Sequence, residues 1–223
     1  MLTALYRDIF KGWSRGEALY GWGLILFQVG FYVIYPDSPL GFITGVAGTI
    51  CVLLVAKGRI SNYLFGFVQV AVAIYLGWGY GLIGETGENI FYLVAQFVGI
   101  MAWKNHIDEE THDVQTESFT LGQWVLALLI IASGTLMLGL WFDSLGGNQV
   151  WLDSSTLVLA LVATGLQVLR YREQWLLWIV LNVISIYQFF LLGNMSLVAM
   201  YIVFLVNVFY GYYSWSKKLE LEN

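Results

Sequence analysis

The sequence specifies an all-α polytopic membrane protein of eight transmembrane helices: two parallel three-helix repeats, a single linker helix between them, and one extra helix at the N-terminal side. Three observations carry this reading. Of the 223 residues, 59% are hydrophobic and 11% charged, with a mean hydropathy of +0.72, far from the mixture of a soluble globular domain. Eight apolar stretches are each long enough to cross a bilayer: 18–36, 39–57, 60–82, 88–105, 119–142, 154–171, 174–192 and 196–216. With that count, every Lys and Arg falls on one side of the membrane.

Taken in order, residues 1–16 are polar and carry Arg7, Lys11 and Arg15 ahead of the first apolar run, which is not the pattern of a cleavable signal peptide. The first span ends in Tyr35-Pro36-Asp37-Ser38-Pro39, a tight exposed turn that holds both prolines. Lys57 and Arg59 lie between the second and third spans, and Lys104 follows the fourth. Arg170 and Arg172 separate the sixth and seventh, and Lys217 and Lys218 close the chain. The opposite loops carry Asp37, Glu85, Glu88, Asp143 and Asp153 and no base. The positive-inside rule then places both termini in the cytoplasm.

Sliding the chain by 112 residues aligns spans two to four with spans six to eight without a gap. Leu40 meets Leu152, Thr44 meets Thr156, Val68 meets Val180, Ile74-Tyr75 meets Ile186-Tyr187, Leu93-Val94 meets Leu205-Val206, Phe97 meets Phe209, Gly99 meets Gly211 and Trp103 meets Trp215. Related spans are four apart, so the two units point the same way, and the fifth span returns the chain to the correct side. This three-plus-one-plus-three arrangement is an architecture of transporters. The domains are therefore 1–37 (N-terminal segment and extra helix), 38–106 (first repeat), 107–149 (cytoplasmic loop and linker helix), 150–216 (second repeat) and 217–223 (tail). The long polar stretch 105–118 holds both histidines, His106 and His112, among five acidic residues, and reads as a solvated linker rather than a metal site.

The seventh span carries the most informative pattern. Trp175, Trp178 and Asn182, continued by Ser185, share one helical face, and Asn182 lies near the bilayer centre. An unpartnered amide in hydrocarbon costs on the order of several kcal/mol, so Asn182 faces protein, water or a ligand. A helix-packing asparagine between interfacial tryptophans is the plain alternative, but Trp178 lies a full turn deeper than an aromatic belt requires. Gln69, Gln96 and Asn207 lie at similar depth in the third, fourth and eighth spans. Interhelical hydrogen bonding accounts for any one of these amides; four in corresponding helices suggest one site near the midplane.

Absences narrow the chemistry. No Asp, Glu, Lys, Arg or His lies in the central part of any span, which disfavours ion coupling and favours uncoupled diffusion. No metal motif or catalytic set stands at one depth, so neither an enzyme nor a cofactor is expected. The lone Cys51 has no intrachain partner, and no basic domain is present to hold nucleic acid. Indole faces and amides suit a flat, cationic aromatic with a carboxamide or hydroxyls, while an anionic phosphate ester lacks a buried base to meet it.

Trp175-x-x-Trp178-x-x-x-Asn182, Gln96-x-x-Gly99-x-x-x-Trp103-Lys104 and the segment Ala56-Lys-Gly-Arg-Ile-Ser-Asn62 together resemble the PnuC family of bacterial vitamin transporters over about residues 40–216. The resemblance implies a fold similar to the SWEET sugar transporters, a homotrimer in the lipid of the bacterial inner membrane, and nicotinamide riboside as substrate. It also implies facilitated diffusion made one-way by a cytosolic riboside kinase. Carried over, Trp175, Trp178, Asn182 and Gln96 are substrate contacts; Gln69 and Asn207 join them by depth alone. The alternatives are a thiamine carrier resembling the PnuT branch, a SWEET-like sugar carrier and, from a different class, a non-transporting membrane subunit.

Overall fold

A computed structural model describes residues 2–34, 38–80, 83–147, 149–191, 193 and 195–222, without the side chains at 2, 4, 83–85, 195–197, 199, 221 and 222. The chain is helical throughout, and its contacts divide it into two compact units, Met1–Gln115 and Thr116–Asn223. Unit 1 holds α1 (Leu2–Phe10), α2 (Arg15–Ile34), α3 (Pro39–Lys57), α4 (Asn62–Gly79) and α5 (Ile83–Trp103). Unit 2 holds α6 (Leu121–Ser144), α7 (Val150–Val168), α8 (Gln174–Leu191) and α9 (Met195–Glu222).

Among the described residues, six helices are long and apolar enough to cross a membrane: α2, α3, α4, α6, α7 and α8. α5 and α9, at 21 and 28 residues, are of spanning length too. Tyr35, Pro36 and Asp37 of the expected turn lie outside the described residues. Its last two residues start α3, where the Ser38 hydroxyl caps the helix by accepting from Gly41 N at 3.0 Å and Pro39 occupies the first turn. α6 opens on a capping box between Thr120 and Gln123.

In unit 1, α2 packs on α3, α3 on α4 and α4 on α5; in unit 2, α6 packs on α7, α7 on α8 and α8 on α9. The extra helix α2 and the linker helix α6 thus take like places, each leaning on the first member of its triplet. Of the most apolar 18-residue stretch, 44% is buried in both α3 and α7, but only 6% in α2 and 11% in α6. The inner helix of each unit is the same member of the repeat.

At several positions 112 residues apart the two units share local structure. α4 begins at Asn62 and α8 at Gln174, and α5 runs to Trp103 where α9 carries Trp215. The Thr44 hydroxyl donates to Leu40 O at 3.0 Å, and the Thr156 hydroxyl to Leu152 O at 3.0 Å. Gly58 ends α3 with φ 79°, and its counterpart Arg170 follows α7 with φ 66°, so the second copy places a side chain in the left-handed region that glycine fills in the first. Arg59 N then donates to Leu54 O at 2.8 Å, and Tyr171 N to Leu166 O at 2.9 Å.

Two parts depart from the expectation. Residues 2–10, read as merely polar, form α1. The stretch read as a solvated linker is folded: Ile107 and Val114 form an antiparallel bridge, Val114 and Thr116 are buried, and Val114 N donates to Gly58 O at 2.8 Å. Arg59, buried at the end of α3, draws it in through Asp113, with Nε to Oδ1 at 3.0 Å. In unit 2, Glu117 N donates to Arg170 O at 2.9 Å, and its carboxylate pairs with Arg170 at 3.0 Å. His106 and His112 belong to no cluster that could hold a metal ion among the described residues.

Candidate functional site

The stripe on α8 buries Trp175, Asn182 and Ser185 and leaves Trp178 half-buried. Trp175 is gripped by α9: its ring meets Trp215 edge-on, centroids 5.9 Å apart at 83°, and a Cβ on Gly211 would stand 2.5 Å from the indole. Only glycine admits the ring there. Its Nε1 is buried without a hydrogen-bond partner among the described residues, a donor that a protein interior normally satisfies. Asn182 donates from Nδ2 to Trp178 O, one turn back, at 2.8 Å. The helix itself therefore holds one end of the amide and ties it to the tryptophan that precedes it on the stripe. Asn207, on α9, is buried in the same unit.

In unit 1 the two glutamines rest on glycines. Gln69 of α4 lies against Gly48 of α3, where an added Cβ would stand 3.0 Å from its amide, and Gln96 of α5 lies against Gly66 of α4, where the gap would be 2.6 Å. The Gln96 Oε1 is buried and unpartnered among the described residues. The clasp seen in unit 2 recurs: Tyr63 meets Trp103 edge-on at 5.2 Å and 80°, and a Cβ on Gly99 would overlap the Tyr63 ring. Tyr63 and Trp175 are repeat partners, as are Gly99 and Gly211.

The six candidates thus fall into two sets, Gln69 and Gln96 in unit 1 and Trp175, Trp178, Asn182 and Asn207 in unit 2. The aromatic clasps are copied between repeats; the amides are not. In the shared register Gln69 stands opposite Leu181, Gln96 opposite Val208, Val70 opposite Asn182, Ala95 opposite Asn207, and Gly66 opposite Trp178. Each amide lies on the helix the sequence assigned it to, but the amides do not occupy matching positions of the two repeats. Sequence reasoning missed Gln174, wholly buried with neither amide atom bonded among the described residues, and the hydrogen bond from Gln188 of α8 to Asp153 of α7. Gln174 directly precedes the stripe, and its alignment with the buried Asn62 was the available signal.

A sequence profile described as that of the nicotinamide mononucleotide transporter family matches residues 38–217. A Haemophilus influenzae protein described as nicotinamide riboside transporter PnuC is 36% identical over 100% of this chain and 99% of its own length. The chain belongs to the PnuC family of transporters. A second PnuC relative, from Neisseria mucosa and with the same description, is 38% identical over 96% of this chain and 86% of its own length. Among solved structures, a crystal structure described as the vitamin B3 transporter PnuC shares 34% identity, covers 100% of both chains and superposes with a TM-score of 0.86. The PnuC assignment agrees with the bilayer-length helices above.

Proposed function

We propose that the chain carries nicotinamide riboside across the bacterial inner membrane by facilitated diffusion, the substrate being trapped when a cytosolic kinase phosphorylates it. The observation that carries the reading is the α8 stripe: a buried Asn182 bonded to the backbone of Trp178, on the same face as a Trp175 whose indole N–H has no partner among the described residues. A pyridinium ring stacks on indole, and a carboxamide pairs with an amide through matched donors and acceptors. In this reading Trp175, Trp178, Asn182 and Gln96 are substrate contacts, with Gln69 and Asn207 as further ones.

The chain crosses the membrane eight times in this reading, α2 to α9 in a SWEET-like arrangement with both termini cytoplasmic, and works as a homotrimer. The mononucleotide is disfavoured: its phosphate finds no base in the middle of any span. Titration of the purified protein with riboside, mononucleotide and thiamine, followed by calorimetry, tests the assignment. Heat from the riboside alone is expected. Preference for thiamine moves the chain to another cationic vitamin, and binding of none of the three removes the carrier reading in favour of a non-transporting subunit.

A further inference from the structure

Unit 1 carries an open cavity of about 440 Å³ where α1 meets the turn around residues 108–113. Arg59 lines it from within: it is 2% exposed, pairs with Asp113, and donates from Nη1 to Thr111 O at 2.9 Å and from Nη2 to Lys11 O at 3.0 Å. Its charge is thereby matched. Arg7 and Lys11, one helical turn apart, also line the cavity, are exposed, and form no ion pair among the described residues. His112 completes the basic part, and the exposed Glu110 is the remaining acid. Gly12, at φ 76°, lets the chain pass over Arg59, since a Cβ there would stand 2.6 Å from Nη2.

Beside this pair of cations lies a pair of rings. Tyr6 and Phe10 occupy the adjacent row of α1, 59% and 58% exposed, their centroids 5.2 Å apart. Trp13 follows, its Nε1 donating to Ile9 O at 2.8 Å, with Lys57 Nζ 5.6 Å from its ring centre. Exposed aromatics next to unpaired cations, at the ends of bilayer-length helices, are the composition of a surface that meets lipid headgroups. A soluble phosphate would use the cations but would leave the rings in water.

We propose that α1 and this cavity form a site for an anionic phospholipid of the leaflet that meets the basic ends of the helices. Arg7 and Lys11 hold the lipid phosphate by charge-assisted hydrogen bonds, and Tyr6 and Phe10 lie among the first acyl carbons. The site takes lipid whether or not the transported molecule is nicotinamide riboside.

The test is retention of phosphatidylglycerol against phosphatidylcholine by the full-length protein in detergent, read by native mass spectrometry. Thermal unfolding of each variant checks that the fold is kept. The wild type is expected to retain phosphatidylglycerol preferentially, and Arg7→Gln with Lys11→Gln to weaken that retention by on the order of tenfold or more. Lys217→Gln with Lys218→Gln, basic residues outside the cavity, is expected to leave it unchanged. Equal retention by the Arg7/Lys11 variant, or equal loss in the tail variant, overturns the site. If inorganic phosphate or ATP binds the lipid-free protein through Arg7 and Lys11 and displaces phosphatidylglycerol, the cavity serves a soluble anion and the lipid assignment falls.

Discussion

Asn182 and Gly211 show how differently two residues of one unit can matter. Asn182 is a buried amide with one hydrogen committed to Trp178 O, so replacing it by leucine removes polarity while keeping the branched outline of the side chain. Asn182→Leu is expected to keep the unfolding temperature within a few degrees while riboside affinity in calorimetry falls tenfold or more, because the substrate amide loses a partner worth about 1–3 kcal/mol. Unchanged affinity would take Asn182 out of the site. Gly211 touches no ligand in this reading; it makes room for Trp175. Gly211→Ala is expected to cost about 1–3 kcal/mol by overpacking, and Gly99→Ala a similar amount through Tyr63, both visible in thermal unfolding. Because only Trp175 of the two aromatics is a substrate contact in this reading, Gly211→Ala should also weaken riboside binding more than Gly99→Ala does.

The spanning helices were legible from sequence because their signal is length and hydropathy, the two properties a bilayer imposes directly. The repeat was legible because glycine and tryptophan recur at one offset, and the clasps Tyr63–Trp103 and Trp175–Trp215 are what that recurrence builds. α1 was not legible: nine residues are too few for a span, and their apolar positions are interleaved with Arg7 and Asp8. The fold of 105–118 was hidden for another reason. Its composition is that of a solvated loop, and it is ordered by a buried arginine from a distant turn and by backbone pairing that no local pattern announces. The candidate site was legible as residue types and depth, whereas the role of Trp175 in packing and the burial of Gln174 depend on which face α9 presents.

Within that loop, Asp108 accepts from Thr111 N at 2.7 Å, from the Thr111 hydroxyl at 2.9 Å and from Glu110 N at 3.0 Å. The Thr111 bonds are the main cause that lowers its pKa below the ordinary carboxylate value. A lowered pKa means that the turn is stabilised above the usual carboxylate range and loses that stabilisation as pH falls through the lowered value. Hydrogen exchange at Glu110 and Thr111 is therefore expected to be slow at neutral pH and to lose protection in acid, and Asp108→Asn to weaken protection at neutral pH and remove its dependence on pH.

Taken whole, the chain offers a substrate no Asp, Glu, Lys, Arg or His in the middle of any span. Uptake of riboside into liposomes is accordingly expected to stop at equal concentrations, and an imposed proton or sodium gradient to leave that endpoint unmoved; accumulation above the external concentration would show coupling. In the proposed reading, net import then depends on chemistry in the receiving compartment.

The clasps repeat while the amides do not, and this has a consequence for how such a protein can be rebuilt. A chain assembled from two copies of the second repeat would keep its scaffold twice over and present Asn182 twice, with no counterpart to Gln69 or Gln96. The frame is common to the two repeats, and the amides are what keep the copies from being interchangeable.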